Sequence, residues 1–261
     1  MRDVLLPASS LAHRELIRFL RQRSRVIGAF LTPVLFWLLI GAGMGRSFAD
    51  PSGVSSGGYI SFFFPGTVVM IVLFTAIFST ISIIEDRRDG FLQGVLVSPA
   101  PRGSIALGKI FGAATLAILQ AGLFLLAAPL VGLRPGFAGV LLAIAILVVL
   151  SVALAGLGFV IAWRMTSTQG FHAIMNLLLM PMWFLSGALF PVEGAARPVA
   201  WLMLANPLTY GVWALREALS GNTPAGSPGI FTCFVVSIAF AALMSIVSML
   251  LVRSRAAGDL M

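Results

Sequence analysis

Residues 59–109 read YISFFFPGTVVMIVLFTAIFSTISIIEDRRDGFLQGVLVSPAPRGSIALGK, an uncharged run to Ile84 that breaks into a polar island from Glu85 to Lys109. Crossing the roughly 30 Å of bilayer hydrocarbon as a helix takes about 20 apolar residues. Tyr59 to Ile84 has that length and lacks the alternation of a barrel strand. The island gathers Glu85, Asp86, Arg87, Arg88, Asp89, Arg102 and Lys109 in a chain that is only 10% charged. So dense a charged segment between two apolar runs is expected to meet a soluble partner.

The contrast extends along the chain. At 59% hydrophobic residues and a mean hydropathy of +1.03, it has too little charge to cover a water-soluble globule, whose surface is about a quarter or more charged. It reads as an all-α integral membrane protein with six spans, at about 26–45, 59–84, 110–133, 135–163, 171–191 and 229–252. Pro33 and Pro181 interrupt spans one and five. The first apolar run begins only at Val26 and has no small-residue cleavage site, so no cleavable signal peptide is expected.

Residues 1–25 form a separate unit, a basic amphipathic helix opened by Ser9 or Ser10. Arg14, Arg18, Arg21 and Arg25 recur on one side, with Leu16, Ile17, Phe19 and Leu20 opposite. Such a helix lies in the headgroup plane, its arginines drawn to anionic membrane lipids. Residues 26–261 form the membrane domain. Within it, 192–228 fits neither loop nor span: Val199 to Leu204 and Leu208 to Leu219 are too short to cross and meet at Asn206 and Pro207, the pattern of a re-entrant hairpin.

Six spans put both termini on one side. Of the 17 Lys and Arg, all but Arg46, Arg134, Arg197 and Arg216 fall on that side, with the island. The positive-inside rule then makes the termini and island cytoplasmic and the hairpin extracytoplasmic. The basic excess reflects this distribution and does not call for a nucleic-acid partner.

Three chemistries present themselves in part. Gly103 to Lys109, GSIALGK, matches most of the phosphate-binding pattern G-x-x-x-x-G-K-[ST], but Ile110 stands where the hydroxyl belongs and no strand precedes it. Glu85, Asp86 and Asp89 resemble the acidic cluster with which membrane-embedded prenyltransferases hold magnesium, leaving a lipid-processing enzyme as the alternative reading; the second cluster this needs is missing. The span centres carry no Asp, Glu, Lys or Arg, the groups that couple proton- or sodium-driven transport. No catalytic residue and no metal site is expected, and Cys233 has no partner for a disulfide. Glycines spaced by four, Gly41 with Gly45 and Gly108 with Gly112, and the cluster at Gly156 and Gly158 permit close helix approach.

With Glu85 to Lys109, Phe184 to Pro191 (FLSGALFP) and Ala205 to Leu219 (ANPLTYGVWALREAL) in that order, the chain resembles the permease subunit of a type-two ABC exporter, the family of bacterial drug, lipo-oligosaccharide and polysaccharide export permeases. Glu85, Arg88, Gly90, Leu96, Ser98, Pro99, Leu107, Gly108 and Lys109 fill the family's cytoplasmic pattern. Phe184 to Pro191 and Ala205 to Leu219 fill two more. Gln93 departs from it, standing where an acidic residue is common.

The resemblance implies export of an amphipathic or lipid-linked substrate (a drug, lipid, glycolipid or polysaccharide) across the plasma membrane. The energy would come from a separate cytosolic ATPase in two copies, which holds the ATP and magnesium, while this chain pairs with a second permease copy and binds no cofactor. Residues 85–109 would be the coupling loop, with Glu85, Arg87, Arg88, Gly90, Phe91, Leu96, Pro99, Arg102 and Lys109 at the ATPase. Phe91 and Leu96 would dock in it. Pro191, Asn206, Pro207, Tyr210 and Arg216 would belong to an outer gate, with Tyr210 and Arg216 near the headgroups.

Overall fold

A computed structural model describes residues 2–21, 23–44, 58–96 and 101–255. They form α1 (Arg2–Arg21), α2 (Arg23–Met44), α3 (Tyr59–Ser79), α4 (Ser82–Arg88), α5 (Phe91–Leu96), α6 (Gly103–Leu125), α7 (Phe137–Arg164), α8 (Thr168–Phe184), α9 (Arg197–Ala205), α10 (Pro207–Ser220) and α11 (Ile230–Arg255). Short 3₁₀ turns follow α6 at Ala128–Val131 and α8 at Val192–Gly194. No strand occurs among the described residues.

A helix that is apolar around its whole circumference belongs inside a bundle. α3 is such a helix, buried at nearly every position, and α2, α6, α7, α8 and α10 surround it. α11 packs on α7 and α10 at the periphery, and α1 lies along α6. The contacts are close where a side chain is missing: Gly66 of α3 faces Ala188, Gly156 faces Met244, and Gly211 faces Leu150. A cluster of Trp37, Phe64 and Phe124, with ring centroids 5.0 to 5.8 Å apart, joins α2, α3 and α6.

Among the described residues, four stretches are long and apolar enough to cross a membrane: Tyr59–Arg88, Gly103–Leu125, Phe137–Arg164 and Ile230–Val252. These correspond to the expected spans two, three, four and six. α8 has 17 residues, so the candidate for span five is shorter, and α2, Arg23–Met44, holds the candidate for span one. α6 starts at Gly103 rather than near Ile110 because the polar residues there already lie in its first turns, and Pro129, which has no N–H to donate, follows its end. α8 stops at Phe184, ahead of Gly187, whose φ of 75° lies in the left-handed region that suits glycine. α1 starts at Arg2, well before Ser9 and Ser10, whose hydroxyls bond back to the Leu6 carbonyl at 2.9 and 3.0 Å.

The chain thus collects its polar chemistry at two ends. One end holds α1, α4, α5, the start of α6 and the α7–α8 connection. The other holds the start of α3, the α8–α9 connection and the α9–α10 pair.

Candidate functional site

The island begins where α3 ends. At Thr80 and Ile81 the backbone bonds shorten to the i to i+3 pattern, Thr80 N to Ile77 O at 3.0 Å and Ile83 N to Thr80 O at 3.0 Å, so α4 starts as a separate segment. Gly158 of α7 sits against this junction; a Cβ there would lie 2.8 Å from Thr80 Oγ1. Gly90, with φ 75°, then turns the chain from α4 into the six-residue α5.

Asp86 of α4 is fully buried and sits at the centre of an ion cluster. Arg14 of α1 donates Nη1 to its Oδ2 and Nη2 to its Oδ1, both at 3.1 Å, the parallel fork that makes a guanidinium–carboxylate pair rigid. Arg18 donates to Oδ1 at 2.9 Å and reaches Glu85 Oε2 at 3.0 Å. From α6, Lys109 donates to Asp86 Oδ2, to Glu15 Oε1 at 2.6 Å and to Ser82 Oγ at 3.1 Å. The Asp86 carboxylate raises the pKa of Arg14 above that of an ordinary guanidinium, through the hydrogen bond first. The cluster therefore opposes Arg14, Arg18 and Lys109 to Glu15, Glu85 and Asp86 across three helices.

Backbone packing makes this possible. Gly108 and Gly112 of α6 meet α1 directly: Cβ atoms on them would lie 2.9 Å from the Ala8 carbonyl and 2.9 Å from Glu15 Cβ. The four-residue glycine spacing is the seam on which α1 rests, and it delivers Glu15 to Lys109. On the other flank, Arg87 donates to the Trp163 and Met165 carbonyls at 2.8 and 3.0 Å, and Arg88 Nε donates to the Thr166 carbonyl at 3.2 Å. The segment is braced from both sides.

Of the residues expected at the coupling loop, the structure brings together Glu85, Arg87, Arg88, Gly90, Phe91 and Lys109. Lys109 and Glu85 point into the ion cluster, and Phe91 packs under Arg14, whose guanidinium carbon is 3.7 Å from the ring centroid. Leu92 is buried, so the outward surface of the α4–α5 segment is Arg88, Asp89, Gly90, Gln93 and Gly94. Arg102 is exposed just before α6. Pro99 lies outside the described residues, as does the side chain of Leu96. Sequence reasoning missed Arg14, Glu15 and Asp86 as partners; the signal was the four-residue spacing of Arg14 and Arg18 on the face of α1 that meets α4.

GSIALGK runs inside α6 from its first residue, and its lysine is spent on carboxylates, so it forms no phosphate loop. Likewise Asp86 has each carboxylate oxygen accepting from two cationic nitrogens, a saturated group rather than an open magnesium ligand.

At the far end, Asn206 joins α9 to α10. Its Oδ1 accepts from Leu208 N at 3.0 Å, and its Nδ2 donates to the Met182 and Leu185 carbonyls at 2.6 and 3.1 Å. Pro207 fills the first turn of α10. Tyr210 donates to the Leu204 carbonyl at 3.0 Å. Arg216 is 5% exposed, donating to the Gly187 and Phe62 carbonyls at 3.0 and 3.4 Å with its guanidinium 4.1 Å over the Phe62 ring. Pro191 precedes the second 3₁₀ turn. α9 and α10 are thus a compact helical pair folded back on α8 and α3.

The ABC-2 type transporter family matches residues 8–220, from α1 through α10. A putative transport permease ycf38 of Cyanophora paradoxa is 26% identical over 87% of this chain and 79% of its own. Nodulation protein J of Rhizobium leguminosarum bv. viciae is 29% identical over 76% of this chain and 75% of its own. Daunorubicin resistance ABC transporter permease protein DrrB1 of Streptomyces coeruleorubidus is 22% identical over 95% of this chain and 87% of its own.

Proposed function

We propose how this protein works from the premise that it belongs to the ABC-2 type transporter family and is the membrane permease subunit of an ABC exporter. In this reading a separate cytosolic ATPase, present in two copies and holding the ATP and magnesium, bears on the α4–α5 segment. The observation that carries the reading is the form of that segment: two short helices at the end of the central helix, braced on one side by α1 and α6 and on the other by the α7–α8 connection. A load applied to its outward face reaches α1, α6, α7 and α8 as well as α3.

The remaining parts follow the same reading. α2 and α8, with the four long apolar stretches, give six spans, with both termini on the cytoplasmic side of the plasma membrane. The α9–α10 pair lies at the outer leaflet, where Pro191, Asn206, Pro207, Tyr210 and Arg216 hold the exit closed. A second permease copy, identical or a sister, completes the exporter, and α1 rests among membrane lipids. A cavity of about 280 Å³ between α1, α2, α3 and α8 supports an amphipathic substrate: Met70, Phe74 and Phe78 form an apolar wall, and Thr32 supplies a hydroxyl.

The test is co-expression with an ABC ATPase encoded beside this chain. Copurification of the two in equal amounts, with vanadate-sensitive ATP hydrolysis, is the expected result. A permease that purifies alone and forms a product in a magnesium-dependent reaction would overturn it in favour of the lipid-processing enzyme.

A further inference from the structure

α5 cannot hold itself in place. Six residues fall well short of the length at which an isolated helix is stable, so its position is imposed by what it touches. On its first turn the contacts are Leu92, which is buried, and Phe91, which lies against Arg14. Arg14 in turn is fixed by its fork onto Asp86, and α1 cannot slide because Gly108 and Gly112 seat it against α6. A planar guanidinium held on one edge by a carboxylate presents its face at a fixed angle, which a lysine ammonium cannot do.

From this chain of contacts we infer that α1 is the positioning strut of the α4–α5 segment. Arg14, oriented by Asp86, sets where α5 sits; α1, α4, α5 and the first turns of α6 move as one body when α5 is driven. The inference rests on the coupling role proposed above for α4–α5 and deepens it by assigning α1 to the moving part. Arg14 and Asp86 are then positioning residues that touch neither substrate nor nucleotide.

Spin-label distances in nanodiscs test this, using the full chain with its ATPase and, separately, the full chain alone. Ser10→Cys and Gln93→Cys place labels on exposed positions of α1 and α5, and Gln93→Cys with Asn222→Cys reports across the membrane. Cys233 is fully buried and adds no exposed label site. The Ser10–Gln93 distance is expected to stay narrow and unchanged between the nucleotide-free and ATP–vanadate states, while the Gln93–Asn222 distance shifts. Arg14→Lys, which keeps the charge and loses the fork, is expected to broaden the Ser10–Gln93 distribution in the permease alone, and Phe91→Leu to do the same to a smaller extent.

A Ser10–Gln93 distance that moves on trapping as far as Gln93–Asn222 overturns the strut. So does an Arg14→Lys distribution as narrow as wild type. If neither pair moves on trapping, the coupling role of α4–α5 is what fails, and the Arg14→Lys comparison still decides the strut.

Discussion

Lys109 carries the most meaning of any single residue, and its sequence context pointed elsewhere. In GSIALGK it has the spacing of a phosphate-binding lysine, yet it is 3% exposed and divided between Glu15 and Asp86. A buried charge is tolerated only when it is paired. Removing one partner of such a pair costs about 3–5 kcal/mol, because the other charges stay behind unpaired. Lys109→Met is therefore expected to lower stability by that amount in detergent unfolding followed by tryptophan fluorescence, while the exposed Arg102→Gln stays within about 0.5 kcal/mol. Asn206→Ala removes the cap of α10 and two bonds to the end of α8, a loss of about 1–2 kcal/mol in the same assay. The break between α9 and α10 at Asn206 and Pro207 was legible because Asn and Pro mark a helix start locally. The burial of Arg216 was not, since its acceptors, the carbonyls of Phe62 and Gly187, are main-chain groups distant in sequence.

At the scale of elements, hydropathy located the helices and misplaced some of their ends. α6 reaches back to Gly103 through residues a hydropathy window counts as loop, and α8 is shorter than its apolar run because the chain turns at Gly187. What hydropathy cannot carry is pairing. That α1 lies on α6 depends on Gly108 and Gly112, a spacing frequent by chance in a glycine-rich membrane chain, and on Arg14 meeting an aspartate far along the sequence. Gly108→Val would place side-chain carbon near the Ala8 carbonyl and Leu11 Cβ, where a bare Cβ already lies at 2.9 and 2.7 Å. α1 is then expected to lose amide hydrogen-exchange protection while α7 and α11 keep theirs. Equal loss in all three helices would show that the seam holds the whole bundle rather than α1 alone.

For the whole molecule, the apolar runs were enough to read a helical membrane protein, because uninterrupted apolar stretches of that length suit the bilayer, and the charges between them stood out as a polar island. Their internal use was hidden: Glu85, Asp86, Arg87 and Lys109 are engaged within the chain, leaving Arg88, Asp89, Gly90, Gln93 and Gly94 facing outward. The account therefore places the ATPase on a small, polar face backed by a rigid charge cluster. The most direct test is cross-linking from Gln93→Cys, with Asn222→Cys as the opposite-side control, in the copurified complex treated with a short bifunctional maleimide. The account predicts an adduct between permease and ATPase from position 93 and none from position 222. An adduct from position 222, or none from position 93 in a complex that hydrolyses ATP, would contradict it.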